Sequence, residues 1–159
     1  MPMDWRTAYL RQAQADYAML LKLLGDADVP LCQQLHYLQM TTEKLAKGLL
    51  TPPGGERYPN THNGFAKFVS VAKSLREIRR ACGFRQAGQF IAYVDSLRPL
   101  AQAVEDLSPE GGDHPNPEYP WEVNGVVVCP TEYAFPALDL GSPKMIKLLR
   151  FIDDCFTIL

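Results

Sequence analysis

The sequence predicts an all-α protein, an up-down bundle of four to five helices crossed by a Pro/Gly-rich acidic strap that contains a short β-hairpin. Three observations predict it. Apolar residues recur at three- and four-residue spacing toward both ends of the chain. Prolines and glycines gather in residues 51–60 and 109–143, where no long helix fits. Inside the second of these stretches, Asn124-Gly125 stands between two β-prone triplets, a strong short-range hairpin signal.

The first helix spans Asp4 to about Leu24, with Trp5, Ala8, Ala13, Leu20 and Leu24 on a helical face and Asp4 as N-cap. After Gly25-Asp26-Ala27-Asp28, Pro30 stands in a first helical turn, where its missing N–H costs nothing. Leu31, Leu35, Leu38, Thr42, Leu45 and Leu49 then form the seam of an antiparallel helix pair. That ladder turned inward leaves Glu43, Lys44 and Lys47 outward, with His62 just beyond the helix end. Residues 51–60 form a loop, because three prolines and two glycines remove donors and favour turns. Phe65, Phe68, Val69, Ala72 and Leu75 make a third helix, with Thr61 or Asn63 as N-cap and Gly83 as interruption. Phe90, Ile91, Val94, Leu97, Ala101, Val104 and Leu107 make a fourth, kinked at Pro99. Ser142-Pro143 opens the last, through Met145, Ile146, Leu148, Leu149, Ile152 and Phe156.

At 159 residues, the chain is long enough to bury one core without disulfide or metal support. The expected organisation is one domain over 1–159, with core helices in 4–107 and 143–158 and a strap over 109–142. A composition 47% hydrophobic and 21% charged excludes a disordered chain. No apolar run approaches the roughly 20 residues of a membrane span, and Met1-Pro2-Met3-Asp4-Trp5-Arg6 has no signal-peptide core. These features predict a cytoplasmic protein with no membrane partner. Cys32, Cys82, Cys129 and Cys155 form no CxxC pair and read as reduced, mostly buried thiols.

Charge is unevenly laid out. Residues 61–100 carry seven basic groups against two acidic ones, and residues 101–143 carry eight acidic groups and no basic one. A basic stretch is therefore followed directly by an acidic one.

The run Gln39-Met-Thr-Thr-Glu43-Lys44-Leu-Ala-Lys47-Gly-Leu-Leu50, a Pro/Gly loop, and Thr61-His62-Asn63 opening an apolar helix resemble the HEPN family of small helical bundles. Asp16-Tyr-Ala18-Met-Leu20-Leu21 in the first helix fits the same pattern, and the match covers roughly the first hundred residues. The resemblance implies an up-down bundle, frequently a homodimer. It also implies one of several functions on that scaffold: a nucleotide- or RNA-binding module, a ribonuclease, or a partner of a nucleotidyltransferase in toxin–antitoxin and related defence systems. The expected reading is the nucleotide- or RNA-associated module. The alternatives are a metal-independent ribonuclease using Arg57 and His62, or an interaction module partnering a nucleotidyltransferase.

The ribonuclease branch of the family places an arginine four to six residues before a histidine on a helix. Arg57-Tyr-Pro-Asn-Thr-His62 has the spacing, but Pro59 bars the helical geometry. His62 could move a proton from a ribose hydroxyl, or could pack over the end of the second helix. Lys73, Arg76 and Arg80 recur at helical spacing and would meet successive phosphates, or would be covered by the acids of the strap. The candidate nucleotide- or RNA-binding residues are therefore Lys44, Lys47, His62, Lys73, Arg76 and Arg80. Glu43 and Lys47 also read as an exposed i,i+4 pair.

Cys32 and His36 stand four apart, but no second pair at ligand spacing completes a metal site, so both read as packing residues. His114 reads as solvated. Tyr119, Trp121, Tyr133 and Phe135 are expected to anchor the strap on the bundle. No Gly-rich phosphate loop, nucleophile elbow, HExxH or paired-carboxylate motif is present, so no catalytic residue and no cofactor are assigned.

Overall fold

The computed structural model describes residues 2–60, 64–109 and 113–159 and is mostly helical. In chain order it contains α1 (Trp5–Leu24), α2 (Leu31–Leu50), α3 (Gly64–Ala72), α4 (Arg76–Ala81) and α5 (Ala87–Glu105). A hairpin of β1 (Trp121–Val123) and β2 (Val126–Val128), a 3-10 turn at Pro130–Glu132, and α6 (Pro143–Phe156) complete it. The fold is the expected helical bundle with a short hairpin in its strap.

The Asp4 side chain accepts from the Thr7 N–H to start α1, and Ser142 accepts from the Met145 N–H to start α6 with Pro143 in its first turn. Helix α2 begins one residue later than Pro30, which is its N-cap. Pairs at both ends fix α1 and α2 as antiparallel neighbours: Arg6 bonds the Thr51 carbonyl at 2.9 Å and Gln34 bonds the Leu23 carbonyl at 3.2 Å. They pack closely because position 48 is glycine. A Cβ there would lie 2.5 Å from Leu10 Cγ and Cδ2.

Leu35, Leu38, Thr42 and Leu45 of the predicted ladder are buried, together with Leu20, Phe68, Phe90, Val94, Leu97 and Phe151 from the surrounding helices. Helix α3 runs antiparallel to α5, with Phe65 beside Glu105 and Lys73 beside Asp95. Helix α6 closes the bundle through the Tyr17 and Tyr93 hydroxyls, which donate to the Leu149 and Lys147 carbonyls.

The third helix is split. It ends at Ala72 rather than continuing through Leu75, and a second short helix, α4, starts at Arg76. The Ser74 hydroxyl donates back to the Val71 carbonyl at 2.7 Å, a local bond that competes with the helical ladder. Leu75 then turns extended, and Ile78 enters the core. Pro99 lies inside α5, where both it and Asp95 are exposed, so water can replace the lost bond.

The hairpin pairs Trp121 with Val128, Glu122 with Val127 and Val123 with Val126. Asn124 and Gly125 take φ values of 51° and 77°, the left-handed pair that a two-residue turn requires. Trp121 and Phe135 are buried on the bundle as expected, whereas Tyr119 is exposed. Among the described residues no helix is long and apolar enough to cross a membrane.

Candidate functional site

The side of α2 that carries Glu43, Lys44 and Lys47 faces inward more than its pattern predicts. Lys44 Nζ meets Asp16 Oδ2 of α1 at 2.5 Å, and Asp16 also accepts from Gln12 at 3.2 Å. Lys47, only 6% exposed, meets Glu43 Oε1 at 2.6 Å, while Gln39 donates to Glu43 Oε2 at 2.9 Å. The Glu43–Lys47 pair therefore exists, but it is buried rather than exposed. A buried ammonium needs such a partner, and both lysines already have one. For Lys44 the reason is α1, which presents Asp16 to it.

The basic stretch is arranged differently. Lys73 lies in the turn after α3 and Arg76 and Arg80 lie on α4, so the three do not share one helical face. Two of them nevertheless meet. Lys73, Arg76 and Arg79 line a groove of about 340 Å³ that also touches Ala87 at the start of α5. The first turn of α5 has no side-chain N-cap, since Gln86 makes no capping bond. Ala87, at the positive end of the α5 dipole, lines the same groove as the three cations. Arg79 Nε is buried with no hydrogen-bond partner. Arg80 is exposed and does not line the groove. Arg79 belongs to the basic run but falls off the Lys73-Arg76-Arg80 periodicity, which is why helical spacing passes over it.

A larger polar cleft of about 1210 Å³ runs between α3 and α5. It adjoins the basic groove, since Lys73 of the groove pairs at 3.5 Å with Asp95 of the cleft. At its other end, Glu105 Oε1 accepts from the Phe65 and Ala66 N–H groups at 3.1 and 3.4 Å and so caps α3. Burial pushes the Glu105 carboxyl above the usual range, partly opposed by those two N–H bonds. Lys67, Arg98 and Ser108 of this cleft carry no motif and are not visible in the sequence as site residues.

The remaining candidates are scattered. Arg57, from the ribonuclease pair, holds its guanidinium 5.3 Å from the centre of the Trp5 ring. The loop around it is tied to the start of α1, where Asp4 Oδ2 accepts from the Gly54 N–H at 2.9 Å. His62 lies outside the described residues, as do Thr61 and Asn63, the two expected caps.

Cys32 is buried, and His36 Nδ1 lies 3.0 Å from Glu118 Oε1 of the strap without the geometry of a hydrogen bond. Among the described residues no group of three or more His, Cys, Asp or Glu side chains is placed to hold a metal ion. His114 is not simply solvated: its Nε2 lies 2.6 Å from the Ser108 carbonyl, and Asn116 continues the turn by accepting from the Glu118 and Tyr119 N–H groups. Lys73 pairs with Asp95 of α5, which lies outside the acidic strap.

Compared with known family models, curated proteins and solved structures, the chain matches none.

Proposed function

We propose that the chain is a HEPN-like RNA-associated binding module that grips phosphate through Lys73, Arg76 and Arg79. The observation that carries this reading is the convergence of the three cations on the uncapped start of α5. The exposed Arg80, one turn beyond Arg76 on α4, adds a fourth cation to this run, which favours a chain of phosphates over a single one. Such contacts fix a backbone without reading sequence. Binding is favoured over cleavage because Arg57, the arginine of the ribonuclease alternative, is held at Trp5.

The family resemblance adds a homodimer and a nucleotidyltransferase partner in a defence or toxin–antitoxin setting. Light scattering of the purified chain tests the first, and co-purification with such an enzyme tests the second.

The central test is fluorescence anisotropy with a single-stranded RNA oligomer across a salt series. Three to four phosphate contacts give a log–log salt slope of roughly −2 to −3. Arg76→Glu/Arg79→Glu is expected to abolish binding with the fold intact by circular dichroism. No binding at low salt, or binding unaffected by the double substitution, overturns the proposal. Tight binding of ATP with none of RNA moves the reading to a nucleotide module.

A further inference from the structure

The hairpin carries apolar surface that the rest of the chain leaves uncovered. Trp121 and Val128, paired at its base, pack on the bundle, but Val123, Val126 and Val127 toward the turn are 47%, 63% and 69% exposed. Val123 and Val126 are cross-strand partners and Val127 follows directly, so the three are contiguous. The sheet has two strands, and both are therefore edges. Adjoining exposed valines on an open-edged sheet are what a partner surface covers.

The charges around the valines say which partner. Glu122 is exposed on β1 beside Val123. Glu132 is exposed in the 3-10 turn, and the ring of the neighbouring Tyr133 lies 5.0 Å from that of Trp121, which keeps Glu132 near the base of the hairpin. Residues 101–143 hold no lysine or arginine, and among the described residues neither carboxylate forms an ion pair. The start of α4 is the complement. Arg76 and Arg80 are exposed one turn apart and form no ion pair among the described residues, and Leu75 and the exposed Val71 lie beside them.

Within one chain the two surfaces do not meet, because the only acid on the basic stretch is Asp95 of α5, at Lys73, while Trp121 and Phe135 bury the strap elsewhere. A second copy supplies both halves. Its carboxylates face the arginines and its valines face Leu75 and Val71. Like surfaces repel, since hairpin on hairpin sets Glu122 against Glu122 and α4 on α4 sets arginine against arginine. In a two-fold pair the favourable contact forms twice.

We infer that the acidic hairpin of one copy docks on the basic face of α4 in another, so that self-association and RNA binding exclude each other. The exclusion rests on the RNA reading above; the self-association does not.

Sedimentation velocity of the full chain tests it. Association is expected at low salt and is lost at high salt, because the pairs are exposed. Glu122→Lys/Glu132→Lys and Arg76→Glu/Arg80→Glu, which change exposed side chains, should each weaken it at least about tenfold. An equal mixture of the two variants should associate about as the wild type does, since each reversed hairpin then meets a reversed α4. Glu122→Lys/Glu132→Lys should still bind RNA, and RNA added to the wild type should dissociate it. The inference is overturned by a chain that is monomeric at low salt, by association that survives either reversal or saturating RNA, or by a mixture that fails to associate. Association that follows the charges with no RNA bound leaves the inference standing and removes the RNA reading; RNA bound by a chain that stays monomeric does the reverse.

Discussion

Lys44 belongs to the motif that suggests a ligand, yet the structure gives it a partner inside the protein, and the two roles separate experimentally. Lys44→Met keeps most of the aliphatic stem and removes the ammonium. Asp16, 8% exposed, then keeps only the Gln12 amide at 3.2 Å. Breaking a fully buried ion pair from one side costs about 3–5 kcal/mol. Here the two side chains retain 19% and 11% exposure, and Gln12 stays, so some solvent screens the stranded carboxylate. The expected loss is therefore about 2 kcal/mol, or roughly 4–8 °C in Tm for a chain of this size.

Urea unfolding is the appropriate assay, read as a fall in midpoint at unchanged slope. The double replacement Asp16→Leu/Lys44→Met should recover most of that loss, since an apolar pair of similar volume removes the desolvation cost. RNA affinity should be the same in all three proteins. If Lys44→Met unfolds at the wild-type urea concentration but loses RNA, Lys44 is a ligand contact and its pairing with Asp16 is incidental.

Gly48→Ala places a methyl within 2.5 Å of Leu10; overpacking of about 1–3 kcal/mol should outweigh the roughly 1 kcal/mol gained in helix propensity, and the sign should reverse in a Leu10→Ala background. The Asp4 carboxyl is held down to about 2 by its bonds from Thr7 and Gly54. Its contribution is present above the ordinary carboxylate range and is lost as pH falls toward 2, so the stability gap between wild type and Asp4→Asn should close between about pH 4 and pH 2 in acid titration by circular dichroism. Burial, with Asp154 nearby, pushes the Cys82 thiol up to about 12, and Cys32 and Cys155 are buried. At pH 8, a thiol reagent should therefore modify the exposed Cys129 first, and a Cys129→Ser variant should lose the fast phase.

Local signals made the scaffold legible. Asp4 and Ser142 cap the helices they were expected to cap because an N-cap acts over three residues, and Asn124-Gly125 turns the hairpin because its backbone angles are intrinsic to those residues. The leucine seam of α2 was legible for a similar reason, since its period is set within one helix. What escaped depends on contacts between distant segments. Glu43 and Lys47 read as a surface pair from spacing alone, and only the packing of other segments on α2 buries them.

The same distinction governs the candidate site. Spacing selected Lys73, Arg76 and Arg80 on the assumption of a continuous helix, but a serine bond to the Val71 carbonyl and the pull of Ile78 into the core reset the phase between α3 and α4. Arg79 rather than Arg80 then falls into the groove with Lys73 and Arg76. A break of two or three residues with no proline or glycine leaves little mark on composition, yet it decides which of four neighbouring cations can share an anion.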